Sequence, residues 1–210
     1  MSAMPLQLDD VFYPESDGQP MGETELHREE MTYLIQALQS WFLEAPDIHV
    51  GGNLFLYYER GNPRAVVSPD VYVTKGIRKG LRRVYKLWEE GRPPCLIIEV
   101  TSDHTRDEDP SRKKACYERL GVDEYVLFDP LDDYLEPRLQ GFRLVGGRYQ
   151  PAPLESDGTL LSRTTGLKLR PEGTRLRLVD PATGEPLLSD EEVREELKRL
   201  RRELAHRGEG

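Results

Sequence analysis

The run Cys95-Leu-Ile-Ile-Glu-Val100 constrains this chain more than any other segment. It is the most apolar short stretch in the sequence and follows the breaker Gly91-Arg-Pro-Pro94. A short apolar run bounded by turn residues reads as a strand buried on both faces, at the centre of a sheet covered by helices. Glu99 sits inside that run. A carboxylate in such a place is costly to desolvate unless a cation or hydrogen-bond donors compensate it. The strand thus implies a central place in the fold and a polar partner for Glu99.

Elements on either side complete a mixed sheet. From Thr24 to Phe42 the apolar residues Leu34, Ile35, Leu38, Trp41 and Phe42 recur with helical spacing, with Thr24 as N-cap and Pro46 just past the end. Projected backwards, the same face carries Met31, His27 and Glu23. Asn53–Tyr58 reads as a strand, and Ala65-Val-Val67 with Asp70-Val-Tyr-Val73 as its return, broken by Ser68-Pro69. Asp109 to Leu120 is helical, with Asp109 as N-cap, Pro110 at the first position and Gly121 as the stop. Glu124–Phe128 follows as a strand. From Phe142 to Val179 short strands alternate with turns, including a hairpin with Gly146-Gly147 at its tip. Ser189 and Glu192 form a capping box that opens a last helix. In that helix Val193, Leu197, Leu200 and Leu204 make a short heptad seam, which predicts docking on the domain or on a second subunit. The expected fold is α/β in the α+β sense, a mixed sheet flanked by helices with C-terminal hairpins and a terminal helix. The expected organisation is a polar lead-in over 1–22, a domain over 23–181 and a helical extension over 182–210.

Composition sets limits on function. The sequence has 210 residues, is 37% hydrophobic and 32% charged, and contains no apolar run of membrane-spanning length. Its start lacks the basic-then-apolar pattern of a secretory signal, and Cys95 and Cys116 lack zinc or redox spacing, so a reduced cytoplasmic protein is expected. The net charge of −9 argues against strong sequence-independent binding of nucleic acid. Val71–Trp88 runs against that trend, carrying Lys75, Arg78, Lys79, Arg82, Arg83 and Lys86 without an acid. The segment reads either as a set of phosphate contacts or as a solvated loop.

Asp70 begins the strand that precedes Glu99. Two acids converging from neighbouring strands form an oxygen-ligand site suited to Mg²⁺. The bland alternatives are a turn Asp after Pro69 and a strand-end Glu paired with an Arg. Asp109, Lys113 and Tyr117 follow at i, i+4 and i+8, on one helix face. If that face looks back at the sheet end, the Lys113 amine meets the same point. Otherwise Lys113 is a surface residue, Asp109 a cap and Tyr117 a packing group. Lys114 is rotated away by roughly 100°. Ser102 and Thr105 read as hydrogen-bond donors to the acids or phosphate, or as turn hydroxyls. Nothing resembles a Ser-His-Asp set, a phosphate-binding Gly loop or a zinc site.

The stretches SPDVYV, LIIEVTS and DPSRKKACYERLGVDEYVLFDP together resemble the Uma-type restriction endonuclease family of the PD-(D/E)XK nuclease superfamily. The resemblance runs from about Glu25 to Asp129, more loosely to about Pro181. It implies a metal-dependent endonuclease in which Asp70 and Glu99, with the Val100 carbonyl, hold Mg²⁺ or Mn²⁺. The superfamily's usual Lys, two residues after the second acid, is replaced by Thr101. The resemblance moves that role to Lys113, with Glu23, His27, Thr101, Asp109 and Tyr117 in support. His27 reads equally as a buried structural histidine. DNA as substrate and a homodimer follow as expectations, with no organic cofactor and no membrane. The alternative readings are an inactive nuclease-fold module for protein interaction or regulation, and an enzyme for RNA or branched DNA.

Overall fold

A computed structural model describes residues 11–16, 18, 24–101 and 110–208. The first helix, α1 (Glu25–Trp41), starts at Thr24, whose side-chain oxygen accepts from the His27 N–H. The chain then enters β1 (Ile48–Gly51), turns at Asn53, which has φ 46°, and forms β2 (Leu56–Tyr57). The strand expected over Asn53–Tyr58 thus shrinks to its two buried residues, because the turn absorbs its first half. β1 escaped the sequence reading, being four residues long and lying directly after the Pro46 break.

Ser68-Pro69 does more than interrupt a strand. Before it, β3 (Val66–Val67) pairs with β2; after it, β4 (Val71–Lys75) pairs with β1 and belongs to another sheet. β5 (Tyr85–Lys86) runs parallel to β2, and the short α2 (Leu87–Glu90) follows. β6 (Leu96–Val100) is buried at all five positions, as its apolar run demands. Then come α3 (Pro110–Leu120), β7 (Glu124–Phe128), β8 (Leu139–Val145) and β9 (Arg148–Ala152). β8 and β9 form the Gly146-Gly147 hairpin, both glycines having positive φ, which a two-residue turn of this kind requires. β10 (Leu160–Leu161), β11 (Lys168–Glu172) and β12 (Arg175–Val179) make a third sheet, and α4 (Asp190–Gly208) ends the described chain.

The main sheet has the order β1-β4-β6-β7-β8-β9. Its one parallel pair is β6–β7, joined by the α3 crossover; the remaining pairs are antiparallel. The architecture is therefore mixed α+β with flanking helices. Strand alternation gives β6 two partners. Leu96, Ile98 and Val100 face α1 and the third sheet, in a core with Leu34, Leu38, Leu169 and Leu178. Ile97 faces α3, in a core with Tyr72, Tyr117 and Tyr125. By the same alternation Glu99 points to the α3 side.

Tyr13 is not loose. Its ring packs against Tyr57 and Trp88, and its hydroxyl accepts from the Gly61 N–H. For the terminal helix the structure narrows the expectation. The capping box forms, Ser189 N–H donating to Glu192 and Glu192 N–H to the Ser189 hydroxyl. Yet Val193, Leu197, Leu200 and Leu204 stay exposed, so the seam does not dock on its own domain.

Candidate active site

The two acids meet through strand register. β4 pairs with β6 as Val71↔Ile98 and Tyr72↔Ile97, so the next step outward sets Asp70 opposite Glu99. Asp70 is 7% exposed and Glu99 5%. The Val100 N–H donates to Asp70 Oδ2 at 2.8 Å, and His27 Nε2 on α1 lies 3.1 Å from the same oxygen. A carboxylate only accepts, so Nε2 carries the proton in this contact. The Tyr117 hydroxyl donates to Glu99 Oε1 at 2.7 Å, and Lys113 Nζ donates to Glu99 Oε2 at 3.0 Å. Lys113 also reaches the Ser68 carbonyl at 3.5 Å. Residues from α1, β4, β6 and α3 thus converge on one sheet end.

Burial, reinforced by the neighbouring Asp70 charge, pushes the Glu99 carboxyl well above the ordinary carboxylate range, while Lys113 and Tyr117 pull it back. Burial and the Glu99 charge likewise hold the Tyr117 phenol well above its usual value, so it remains a donor. A buried Glu99 carboxyl raised by burial and by the neighbouring Asp70 charge is what a divalent cation would relieve. Among the described residues no group of three His, Cys, Asp or Glu side chains forms a metal cage. Two carboxylates with a backbone oxygen would suit Mg²⁺ or Mn²⁺, the remaining positions being left to water or substrate.

The other sequence candidates separate. Glu23 and Asp109 lie outside the described residues, as do Ser102 and Thr105. The Thr101 N–H is held by the Phe128 carbonyl, and its buried hydroxyl makes no hydrogen bond among the described residues. Lys114 turns to the Phe142 ring, 3.4 Å from its centroid. The basic stretch lies elsewhere. Lys75 ends β4, roughly 15 Å from Asp70 at about 3.3 Å per residue. Lys79 caps the carbonyls of Phe42 and Leu43, Arg82 is paired with Glu90, and Arg83 with Glu15. Lys79 and Arg82 line a pocket of about 430 Å³ together with His49 and Tyr72. Arg78 is exposed. The larger cleft, about 910 Å³, opens instead beside Lys113, between α3 and the β2–β3 strands, with Arg112, Arg119, Phe55 and Tyr58 on its walls.

Three positioning residues were not singled out from sequence. Gly52 lets β1 approach the strand start so closely that an added Cβ would sit 2.0 Å from the Asp70 carbonyl oxygen. Asp129, fully buried, accepts from the N–H groups of Leu131, Asp132, Tyr134 and Leu135 and so folds the loop after β7. Glu30, buried one turn after His27, accepts from Leu176 N–H and ties α1 to β12. A lone Gly pair, a common Asp-Pro and a Glu in a helix carry little local signal. Their roles exist only through partners distant in sequence.

A family model described as "Uma2: Putative restriction endonuclease" matches residues 3–174. The chain belongs to this family. Among solved structures similar to this chain is a putative nuclease belonging to DUF820 from Anabaena variabilis ATCC 29413. It is 14% identical, covers 77% of this chain and 92% of its own, and has a TM-score of 0.53. At that identity the likeness shows a shared fold. No curated protein matches the chain. Within the Uma2 match lie Asp70, Glu99, Lys113 and Tyr117, along with the α1 helix that brings His27 to Asp70.

Proposed function

We propose that this Uma2 protein is a metal-dependent endonuclease that hydrolyses phosphodiester bonds in DNA at the Asp70–Glu99–Lys113 site. The observation that carries the reading is the Lys113 ammonium, 3.0 Å from Glu99 on a strand end where the register sets Asp70 opposite. Asp70, Glu99 and the Val100 carbonyl are the residues that would hold Mg²⁺ or Mn²⁺. The bound ion would supply positive charge to the scissile phosphate and lower the pKa of water.

The chain's own groups do the rest. His27 and the Val100 N–H fix Asp70 Oδ2, which leaves Oδ1 without a hydrogen bond among the described residues. Tyr117 fixes the Glu99 rotamer from the opposite side. Lys113, held between Glu99 and the cleft, orients the attacking water and stabilises charge on the phosphoryl oxygens. The adjacent cleft, with Arg112 and Arg119 exposed on α3 and Tyr58 facing them, supplies cations and an aromatic face for a nucleic-acid strand. This local basicity answers the objection from the net charge of −9. Cutting both strands of a duplex would require two copies. None of the described helices is long and apolar enough to cross a membrane.

The test is Mg²⁺ or Mn²⁺ titration into wild type and an Asp70→Ala/Glu99→Ala variant, with supercoiled and linear DNA cleavage followed in parallel. Metal-dependent nicking by wild type, absent from the variant, is expected. Metal binding without cleavage moves the substrate to RNA or branched DNA. Absence of metal binding by wild type overturns the reading in favour of an inactive nuclease-fold module.

A further inference from the structure

The apolar residues Val193, Leu197, Leu200 and Leu204 of α4 are 49, 46, 43 and 68% exposed. Among the described residues the helix is tied to its domain near its start, where the capping residue Glu192 pairs with Arg177 of β12. Beyond Glu192 its described side chains are exposed apart from a half-buried Glu196. A stripe of leucines presented to water, with none of its own domain over it, marks an interaction surface.

The charges beside the stripe say what covers it. The spacings of 4, 3 and 4 set Val193 and Leu200 at d positions of a heptad, and Leu197 and Leu204 at a. Arg194 and Arg201 then fall at e, and Glu196 and Glu203 at g. One flank is wholly basic and the other wholly acidic. In a parallel pair of helices, g faces the e position of the next heptad, so Glu196 meets the partner subunit's Arg201, twice by symmetry. In an antiparallel pair g faces g and e faces e. Glu196 would then meet the partner subunit's Glu203, and Arg194 the partner subunit's Arg201, with like charges on both sides.

We propose that α4 joins two copies of this chain as a parallel two-stranded coiled coil. The seam is short, and free helices of this length are marginal. Here the helix is already formed in the single chain, because the capping box and the Arg177–Glu192 pair order its first turn. Association therefore does not bear the ordering entropy that a free peptide would. Glu196 and Glu203 both lean on Arg199 within the helix, at 2.5 and 3.8 Å. Such exposed pairs are weak and yield readily to a partner's cation. The inference rests on α4 alone and is independent of the nuclease reading.

Sedimentation equilibrium of the full chain over a range of concentration tests it, with far-UV circular dichroism to confirm folding. A reversible dimer is expected, with the Leu197→Asp/Leu204→Asp variant monomeric. Charge variants at exposed positions leave the fold intact and report orientation. Glu196→Arg alone and Arg201→Glu alone each place like charges across a parallel seam, so each dimerises several-fold more weakly than wild type. Mixed together they restore both pairs and form a heterodimer of near wild-type strength. A wild-type monomer at all concentrations overturns the proposal, as does a dimer that survives Leu197→Asp/Leu204→Asp. Tighter self-association of Glu196→Arg, which an antiparallel seam would give through Glu203, overturns the parallel arrangement.

Discussion

The Val100 N–H donates to Asp70 Oδ2 at 2.8 Å, so the strand that carries Glu99 also holds the other acid of the site. This one bond couples the positions of both carboxylates to a single backbone. Replacing Asp70 with Ala leaves a buried N–H and the buried His27 without that acceptor, which costs about 1–3 kcal/mol. Asp70→Asn keeps an acceptor and loses the charge. Urea unfolding should therefore separate the two variants, Ala being markedly less stable than Asn. Metal titration should show both losing affinity.

Tyr117→Phe retains the buried ring and removes only the donor to Glu99. The expected stability loss is about 1 kcal/mol. Because the Tyr117 hydrogen bond lowers the Glu99 pKa, its removal raises it further. The acidic limb of metal-dependent cleavage should then move to higher pH. A cleavage–pH profile that does not move would show that Tyr117 has no hold on the charge of Glu99.

Lys113 and Lys114 are adjacent in sequence, but one bonds Glu99 and the other lies over the Phe142 ring. Lys113→Met should reduce cleavage by about a hundred-fold or more, the usual effect of removing a charge-stabilising donor. Metal binding should survive that change. Lys114→Met loses a cation–π contact with Phe142, worth about 0.5–1 kcal/mol, and should leave cleavage near wild type. Equal losses in both variants would sink the assignment of Lys113.

Gly52→Ala forces a methyl into the Asp70 carbonyl oxygen and close to Ile35. The clash is with backbone, so the strand start must shift, and destabilisation of about 1–3 kcal/mol is expected. The shift should also weaken metal binding, a readout that a merely structural glycine far from the site would not alter. Unchanged metal affinity in a folded Gly52→Ala protein would argue that Asp70 is positioned without β1.

Glu30 supplies a pH signature away from the metal site. Burial pushes its carboxyl up to about 7, against the pull of the Leu176 N–H, Arg175 and Arg177. The folded chain therefore keeps this proton where the unfolded chain, near 4.5, has released it. Its contribution to stability is present below about 4.5 and lost as pH rises towards 7. Glu192 acts in the opposite sense. Its hydrogen bond with Arg177 holds it down to about 2, so the stability it contributes is lost as pH falls below its ordinary value of 4.5. In Glu30→Gln, melting temperature followed from pH 4.5 to 7 should lose the Glu30 component of its fall, while the Glu192 component, which lies below 4.5, persists in both proteins.

Much of this was legible in sequence because it depended on local pattern. The apolar run ending in Glu99-Val100 could only be a central strand. The helical spacing from Thr24 placed His27 inward, and Lys113 and Tyr117 shared a face by periodicity alone. The Gly146-Gly147 turn and the Ser189–Glu192 capping box are set by residues within a few positions of one another. So is the heptad seam of α4.

Tertiary structure decided what needed partners far along the chain. Ser68-Pro69 marks a break in any reading, but only pairing shows that it hands the chain from one sheet to another and thereby sets Asp70 opposite Glu99. The basic stretch from Lys75 to Arg83 looked continuous in sequence. In three dimensions Lys79, Arg82 and Arg83 are taken up by local carbonyls and carboxylates, and the cleft at the site draws on Arg112 and Arg119 instead. Charge along a sequence does not fix where a charge is spent, because long side chains bind whichever acceptors folding brings near. Gly52, Glu30 and Asp129 matter only for contacts made across the fold, and no local pattern records such contacts.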